Sequence, residues 1–178
     1  MHPIDEKLDT AQLEAGAASV VGQIIFVLSR LEYNIDLYLR NVVGHIDGDA
    51  VDPLLSRLSF KSKVDALRDL AEQKLSADDP RLSEFRQWHG TINKYRARRN
   101  AFVHGRWGTH YPEQQVINIA SGQSTSKPSK ETRYSLGDLE GELFKAKQIA
   151  AAFYKWCETW PLMGPNNSFK PKPLRGSA

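Results

Sequence analysis

Residues 99–104, RNAFVH, place an arginine, an asparagine and a histidine within six positions. An arginine binds phosphate oxygens through a planar set of N–H donors. A histidine is the side chain whose ordinary pKa lies closest to neutral pH, so it can accept and donate protons. Arg99 and His104 together therefore offer phosphate-transfer chemistry, with Asn100 directly beside the arginine.

The spacing of five residues places the two side chains on different sides of a regular helix. Five helical steps rotate about 500°, which leaves Arg99 and His104 about 140° apart. They can converge on one ligand only if the helix loosens near residues 103–105, or if the ligand wraps the helix end. Gly105 favours a loosened last turn. A buried arginine and histidine that join helix ends by hydrogen bonds are the structural alternative.

Charge is concentrated around this segment. Residues 1–60 carry four Lys/Arg and nine Asp/Glu, whereas residues 81–107 carry seven Lys/Arg and a single glutamate. A local excess of positive charge suits a phosphate-bearing ligand. A solvated helix face, or a face that pairs with the acidic N-terminal third, has the same composition. The formal net charge of +3 does not by itself indicate a nucleic-acid partner.

Other motifs of catalysis and cofactor binding are missing from the 178 residues. The sequence has no Walker loop, no GxGxxG, no GxSxG and no HExxH, and its five histidines lack metal-ligand spacing. The single cysteine, Cys157, excludes an internal disulfide framework and a multi-cysteine zinc site, and we expect it to be a packed thiol. We therefore expect no metal and no cofactor.

The overall composition is that of a globular protein, with 40% hydrophobic and 25% charged residues. No uninterrupted run of about 18 apolar residues occurs, so we expect no membrane span. The first residues, MHPIDEKLDTAQ, lack the apolar core of a signal peptide, which favours the cytoplasm.

Apolar residues at helical spacing predict a long first helix from about Thr10 to Val43. Ser59 is a suitable cap for a second helix, which follows a short turn that begins at Pro53. A third helix is predicted from about Arg81 to Val103, and Gly105 is well placed to end it.

The segment after the motif changes character. Residues 107–121 contain three β-branched apolar residues that favour a short β-hairpin, and residues 121–130 are typical of a polar surface loop. Ser135 and Asp138 have capping-box spacing at the start of a last helix. The aromatic residues expected in the core are Trp88, Tyr95, Phe153, Trp156 and Trp160.

The predicted fold is all-α, an up-and-down helical bundle of four to five helices with a small β-hairpin insertion before the last helix. It forms a single domain over residues 1–160, in which 107–135 is the hairpin and loop insertion. A Pro-rich basic tail over 161–178 follows, which we expect to be disordered.

The motif segment resembles the HEPN superfamily, whose helical domains carry an arginine and a histidine four to six residues apart, commonly with Asn, Asp or His directly after the arginine. Residues 99–104 have this form. The layout over residues 15–160 is also similar, with a long first helix containing LEYNIDLYL, a second containing SFKSKVDALRDLA, the motif helix, and a closing helix after YSLGDLE. The resemblance therefore implies a HEPN-like helical domain.

Many HEPN proteins are metal-independent endoribonucleases of toxin–antitoxin, phage-defence and RNA-processing systems. The resemblance implies that His104 is the general acid/base, that Arg99 holds the scissile phosphate, and that Asn100 orients one of the two or the substrate. Attack of the RNA 2′-hydroxyl on the adjacent phosphate then gives a 2′,3′-cyclic phosphate. The family usually dimerises, which implies RNA as substrate, a homodimer with a composite active site, and a protein antitoxin as a further partner.

Three arginines and two carboxylates are the remaining candidates near the site. Substrate binding is expected of Arg96, Arg98 and Arg106. Glu32 and Asp36, four residues apart on one helix face, either orient Arg99 or are simply solvated. Arg106 also stands where one toxin branch of the family has a tyrosine, so the antitoxin mechanism of that branch is not expected.

A second interpretation stays open, because other HEPN proteins have lost catalysis. In it the chain is a catalytically inactive, dimeric module that binds nucleic acid, a nucleotide or a protein partner. The set Arg99, Asn100 and His104 favours the nuclease, whereas the lack of any other clear catalytic group favours the binding module. Trp107 and Tyr111 either flank the cleft or pack a hairpin against the helices.

Overall fold

The computed structural model describes residues 3–43, 53–110, 113–120 and 131–159, and the side chains of residues 3–9 and 43 lie outside this description. The described chain is mostly helical, with a small antiparallel sheet before the last helix. This confirms the predicted mixture of helices and a small β insertion at that place. Residues 121–130 and the 161–178 tail lie outside the described residues.

The described residues contain four helices and one single helical turn. The turn lies at residues 53–55, and Arg57 N donates to Leu54 O directly after it. The helices are α1 (Pro3–Val43), α2 (Phe60–Lys74), α3 (Pro80–His104) and α4 (Leu136–Thr159). α1 begins seven residues earlier than predicted, with a proline at its first position, where the missing N–H costs nothing.

The predicted N-caps at Ser59 and Ser135 are confirmed, and the N-cap predicted at Asp52 lies outside the described residues. Ser59 Oγ accepts a hydrogen bond from Ser62 N at the start of α2. At the start of α4, Asp138 N donates to Ser135 Oγ, and Ser135 N donates back to the Asp138 carboxylate. This reciprocal capping box satisfies two amides that the helix itself leaves without partners.

The β insertion is a three-stranded antiparallel sheet in the order β1–β2–β3, and not the expected two-stranded hairpin. The strands are β1 (Arg106–His110), β2 (Gln115–Ile119) and β3 (Glu131–Tyr134). β2 lies in the middle, where Asn118 is opposite Trp107 on one side and Thr132 on the other. The third strand was missed because ETRY is too short to show a clear alternation.

Two compact units make up the chain, and each has its own core. The sheet unit comprises Met1–Leu28 and Tyr95–Gln148, and the helical unit comprises Ser29–Lys94 and Ile149–Ala178. In the sheet unit, Phe102 and Tyr134 are buried and their ring centroids lie 5.9 Å apart. Trp107 packs on both rings, and its indole N–H donates to the Phe102 carbonyl.

The helical unit is built around aromatic side chains. The rings of Phe85 and Trp156 are in tilted contact with centroids 4.4 Å apart, and Tyr38 contacts Trp156 from the α1 side. Each buried indole N–H has a carbonyl partner, Trp88 with Ile149 O and Trp156 with Arg81 O. Burial of Trp88, Tyr95, Phe153 and Trp156 confirms them as core residues, and Trp160 lies outside the described residues.

Residues Thr10–Val42 of α1 are long and apolar enough to cross a membrane by length and composition alone. This differs from the expectation drawn from uninterrupted apolar runs. A core helix of a soluble protein and a signal sequence pass the same test, so the evidence for a membrane location is weak.

Candidate functional site

The motif lies in the last turns of α3, within the sheet unit. The helix stays regular to its end, because Gly105 N donates to Ala101 O at 2.9 Å in the pattern of an α-helix. The loosened turn that would bring Arg99 and His104 together is therefore absent from this described segment. In a regular helix the two side chains remain about 140° apart.

Gly105 directly follows the end of α3, as predicted, and a close approach of its neighbours requires a glycine there. A Cβ at this position would lie 2.3 Å from the Ala101 carbonyl oxygen and 2.3 Å from Nδ2 of Asn118. Both distances are far below van der Waals contact. Asn118 projects from β2 into this space and donates from Nδ2 to the same Ala101 carbonyl at 3.1 Å.

Arg96, Asn100 and His104 follow one another at intervals of four and therefore share one side of the helix. Asn100 and His104 are exposed, whereas Arg96 is half-buried. Among the described residues, no hydrogen-bond partner is found for the buried Nη1 of Arg96. A buried cationic donor without a partner costs free energy, which makes Arg96 a candidate for binding an anionic group.

Arg99 and Asn100 are joined by a hydrogen bond. Nη1 of Arg99 donates to Oδ1 of Asn100 at 3.2 Å. On the helix wheel Asn100 lies between Arg99 and His104, about 100° from the first and about 40° from the second. The hydrogen bond therefore joins Asn100 to Arg99 through the amide oxygen of Asn100.

Arg98, one of the expected substrate-binding residues, is held within the chain. Its Nη1 donates to the Tyr134 hydroxyl at 2.8 Å, and its Nε lies 3.8 Å from the carboxylate of the buried Glu142. The hydrogen bond to Tyr134, followed by the nearby charges, raises the pKa of Arg98 despite partial burial. Arg98 thus joins α3 to β3 and α4, whereas Arg106 is exposed at the start of β1.

Glu32 and Asp36 both contact a lysine that the sequence analysis did not single out. Lys63 Nζ donates to Asp36 Oδ2 at 2.8 Å and to Glu32 Oε1 at 3.2 Å, inside the helical unit. The Lys63 side chain is only 7% exposed. Burial alone lowers the pKa of Lys63, but the hydrogen bonds and charges of Asp36 and Glu32 outweigh it and raise that pKa. Both carboxylates are thus half-buried ion-pair partners, and their orienting role towards Arg99 stays a prediction.

The residues just after the motif belong to the sheet. Trp107 packs in the aromatic cluster of the sheet unit, and His110 Nδ1 lies 3.4 Å from the Glu113 carboxylate. Tyr111 lies outside the described residues. In the helical unit, His89 Nε2 is 3.1 Å from Asp65 Oδ1, a contact that no sequence pattern indicated.

A groove of about 490 Å³ lies between α1 and β1 in the sheet unit. Its lining is mainly small and apolar on the α1 side, with Ala18, Val21 and Gly22, and includes Trp107 and Thr109 on the β1 side. Among the described residues that line it, none is an arginine or histidine. The groove is therefore separate from the motif side chains.

Metal-ligating and nucleophilic groups are sparse in the described part of the chain. No three His, Cys, Asp or Glu side chains are grouped there as ligands for a metal ion. Cys157 is buried in α4, and burial raises the pKa of its thiol far above the ordinary value. A thiol of this kind is packed in the core and is a poor nucleophile.

Comparison with known proteins finds no matching family model, no similar curated protein and no similar solved structure. What the chain can do chemically therefore rests on the geometry of its own residues. The end of α3 presents an exposed imidazole, an exposed amide and a half-buried guanidinium along one side. These groups can bind a phosphate group and exchange protons with a hydroxyl next to it.

Proposed function

We propose that the protein is a HEPN-like, metal-independent endoribonuclease with the architecture of an up-and-down helical bundle. The 2′-hydroxyl of RNA attacks the adjacent phosphate, giving a 2′,3′-cyclic phosphate and a 5′-hydroxyl. The observation that carries the proposal is the row Arg96, Asn100 and His104 on one side of a regular helix end. The row offers an exposed proton-transfer group and, about two helical turns earlier on the same side, a half-buried cation.

The roles within this site follow from charge and position. His104 exchanges the proton of the 2′-hydroxyl or of the leaving oxygen, since an imidazole serves as either base or acid. Arg99 and Arg96 bind the scissile phosphate and stabilise the charge that builds on it. Asn100 orients Arg99 through their mutual hydrogen bond. Arg106 binds the RNA backbone from the start of β1. Arg98 supports the site by joining α3 to β3 and α4.

The regular end of α3 favours a site completed by a second copy of the chain. Cleavage needs one group that accepts a proton and one that donates it, and a single copy carries one motif histidine. Because Arg99 and His104 lie on different sides of the same helix, one copy does not direct both at one phosphate. In a homodimer, two His104 side chains take the two roles in one composite cleft.

The proposed setting is a cytoplasmic toxin or phage-defence effector with RNA as substrate, no cofactor, and a protein antitoxin as a further partner. This setting rests on the resemblance of residues 99–104 to the HEPN motif. Restriction to RNA follows from the chemistry, because DNA lacks the 2′-hydroxyl nucleophile.

A second candidate function is a catalytically inactive dimeric module that binds nucleic acid, a nucleotide or a protein. The groove between α1 and β1 favours it, because an apolar cleft without motif residues suits a partner surface. Arg98 is also already occupied by Tyr134 and Glu142.

Product chemistry separates these two functions. Purified protein is incubated in EDTA with an end-labelled tRNA, a single-stranded RNA and the matching DNA. The nuclease predicts cleavage of RNA only, with 2′,3′-cyclic phosphate ends, and none by His104→Ala. RNA binding without cleavage by either protein supports the binding module, and cleavage of the DNA contradicts the 2′-hydroxyl mechanism.

A further inference from the structure

Asn118 is the fourth of the five residues of β2, the middle strand of the sheet, and contacts the end of the motif helix. Its side chain is buried, and Nδ2 donates to the Ala101 carbonyl at 3.1 Å. That carbonyl also accepts the last helical hydrogen bond, from Gly105 N at 2.9 Å. The Ala101 carbonyl oxygen therefore joins the last turn of α3 to the sheet. Ala101 lies two residues after Arg99 and three before His104.

The fit between Asn118 and Gly105 is specific. A Cβ at position 105 would lie 2.3 Å from Nδ2 and 2.9 Å from Oδ1 of Asn118. Only a residue without a side chain leaves room for the amide. The two positions thus depend on each other, although they belong to different elements.

The side-chain oxygen of Asn118 is unfavourable for stability. Its Oδ1 is buried, and among the described residues no hydrogen-bond partner is found for it. Burying an unsatisfied oxygen costs free energy that an apolar side chain of the same size avoids. Side chains that are poor for stability are expected where a functional group has to be held in place.

We infer that Asn118 is a positioning residue for His104, an inference that rests on the proposed nuclease function. Helix ends fray readily, and the terminal turn carries the imidazole. The second hydrogen bond to Ala101 O, made from a sheet strand, fixes that turn against fraying. Precise placement matters because a catalytic group displaced by about 1 Å can lose on the order of 100-fold in rate.

The test compares two buried asparagines that each donate from Nδ2 to a helix carbonyl. Asn118→Leu removes the contact to Ala101 O. Asn34→Leu removes two contacts of Asn34, to Arg30 O at 2.8 Å and to the Tyr154 hydroxyl at 3.2 Å. We expect Asn118→Leu to keep its melting temperature and its KM for RNA while kcat falls at least about tenfold. We expect Asn34→Leu to lower the melting temperature and leave kcat unchanged. A purely structural role for Asn118 predicts that melting temperature and kcat fall together, which would overturn the inference.

Asn118→Val, which suits a strand and also lacks the donor, is the second variant should the leucine fail to fold. Hydrogen exchange at the Gly105 amide supplies a readout that does not depend on activity, and it is expected to accelerate in the Asn118 variants only. If Asn118→Leu has the wild-type kcat while His104→Ala is inactive, only the positioning role of Asn118 is overturned. Equal activity of wild type and His104→Ala, or no cleavage by either, overturns the proposed function and this inference with it.

Discussion

Arg99 donates a hydrogen bond from Nη1 to Oδ1 of its neighbour Asn100 at 3.2 Å, close to the end of α3. The hydrogen bond joins the Arg99 guanidinium to the amide oxygen of Asn100 on the exposed part of the helix. His104 lies four residues further on, on the same side of the helix as Asn100. A cation, an amide and an imidazole therefore follow one another around the helix end.

Arg96 and Arg98 are expected to have different roles, the first in RNA binding and the second in stability. Arg96→Met removes a half-buried cation, so RNA affinity falls and the slope of log K against log salt decreases by about 1. Stability is expected to stay constant, since no protein partner of Arg96 Nη1 is found among the described residues. Filter binding at several salt concentrations measures the slope.

Arg98→Met is the matched control for that substitution. It removes the hydrogen bond to Tyr134 and the charge beside Glu142, so the free energy of unfolding falls by about 1–2 kcal/mol. Urea denaturation measures the loss. Equal effects of the two variants on stability and on RNA binding would contradict this division of roles.

The same glycine-to-alanine change is expected to have opposite effects at two positions. At Gly22, inside α1, a Cβ meets nothing within 4 Å, so Gly22→Ala stabilises by about 0.5–1 kcal/mol. At Gly105 a Cβ collides with Ala101 O and Asn118, so Gly105→Ala destabilises by about 1–3 kcal/mol. Thermal unfolding of both variants measures whether each substitution stabilises or destabilises the fold. A stabilised Gly105→Ala would contradict the close approach of Ala101 O and Asn118 to Gly105.

Lys63 is expected to link stability to pH at the alkaline end. Its folded-state pKa is raised above the ordinary 10.5 by Asp36 and Glu32, despite burial. Its contribution is therefore complete below the unfolded pKa and is lost as pH rises through the folded one. Lys63→Met leaves two half-buried carboxylates without their cation, which costs about 3 kcal/mol at neutral pH. Urea unfolding at pH 7 and pH 11 should show the difference between variant and wild type shrinking, and a constant difference would refute the linkage.

Cys157 is expected to be inert in the folded protein. The thiol is buried, and burial raises its pKa, so almost no thiolate forms at pH 8. Ellman's reagent should react with it only after denaturant has unfolded the chain. Rapid labelling of the native protein would show that α4 opens at this position.

The features that could be predicted from the sequence are local ones. The caps at Ser59 and Ser135, the end of α3 before Gly105 and the buried aromatic residues each follow from neighbouring residue types or helical spacing. The short strand Glu131–Tyr134 could not be predicted, because four residues show too little alternation of polar and apolar side chains. Its pairing with β2 depends on residues far along the chain.

The contacts around the candidate site were not predictable for the same reason. Asn118 lies in the short strand QVINI, and nothing nearby in sequence indicates that it reaches Ala101. Lys63 was not singled out from the sequence, because lysines are rarely buried. Only the fold shows that Glu32 and Asp36 surround it. Arg98 was counted with the binding arginines because its partner Tyr134 belongs to the unpredicted strand.

The most direct test is the single-turnover rate of RNA cleavage in EDTA for wild type, His104→Ala and His110→Ala. His110, on β1 beside Glu113, is the matched control for a histidine removed close to the motif. The account predicts RNA cleavage by wild type and His110→Ala at similar rates, and a loss on the order of 100-fold or more in His104→Ala. Equal rates for wild type and His104→Ala would contradict the assignment of His104 as the group that moves the proton.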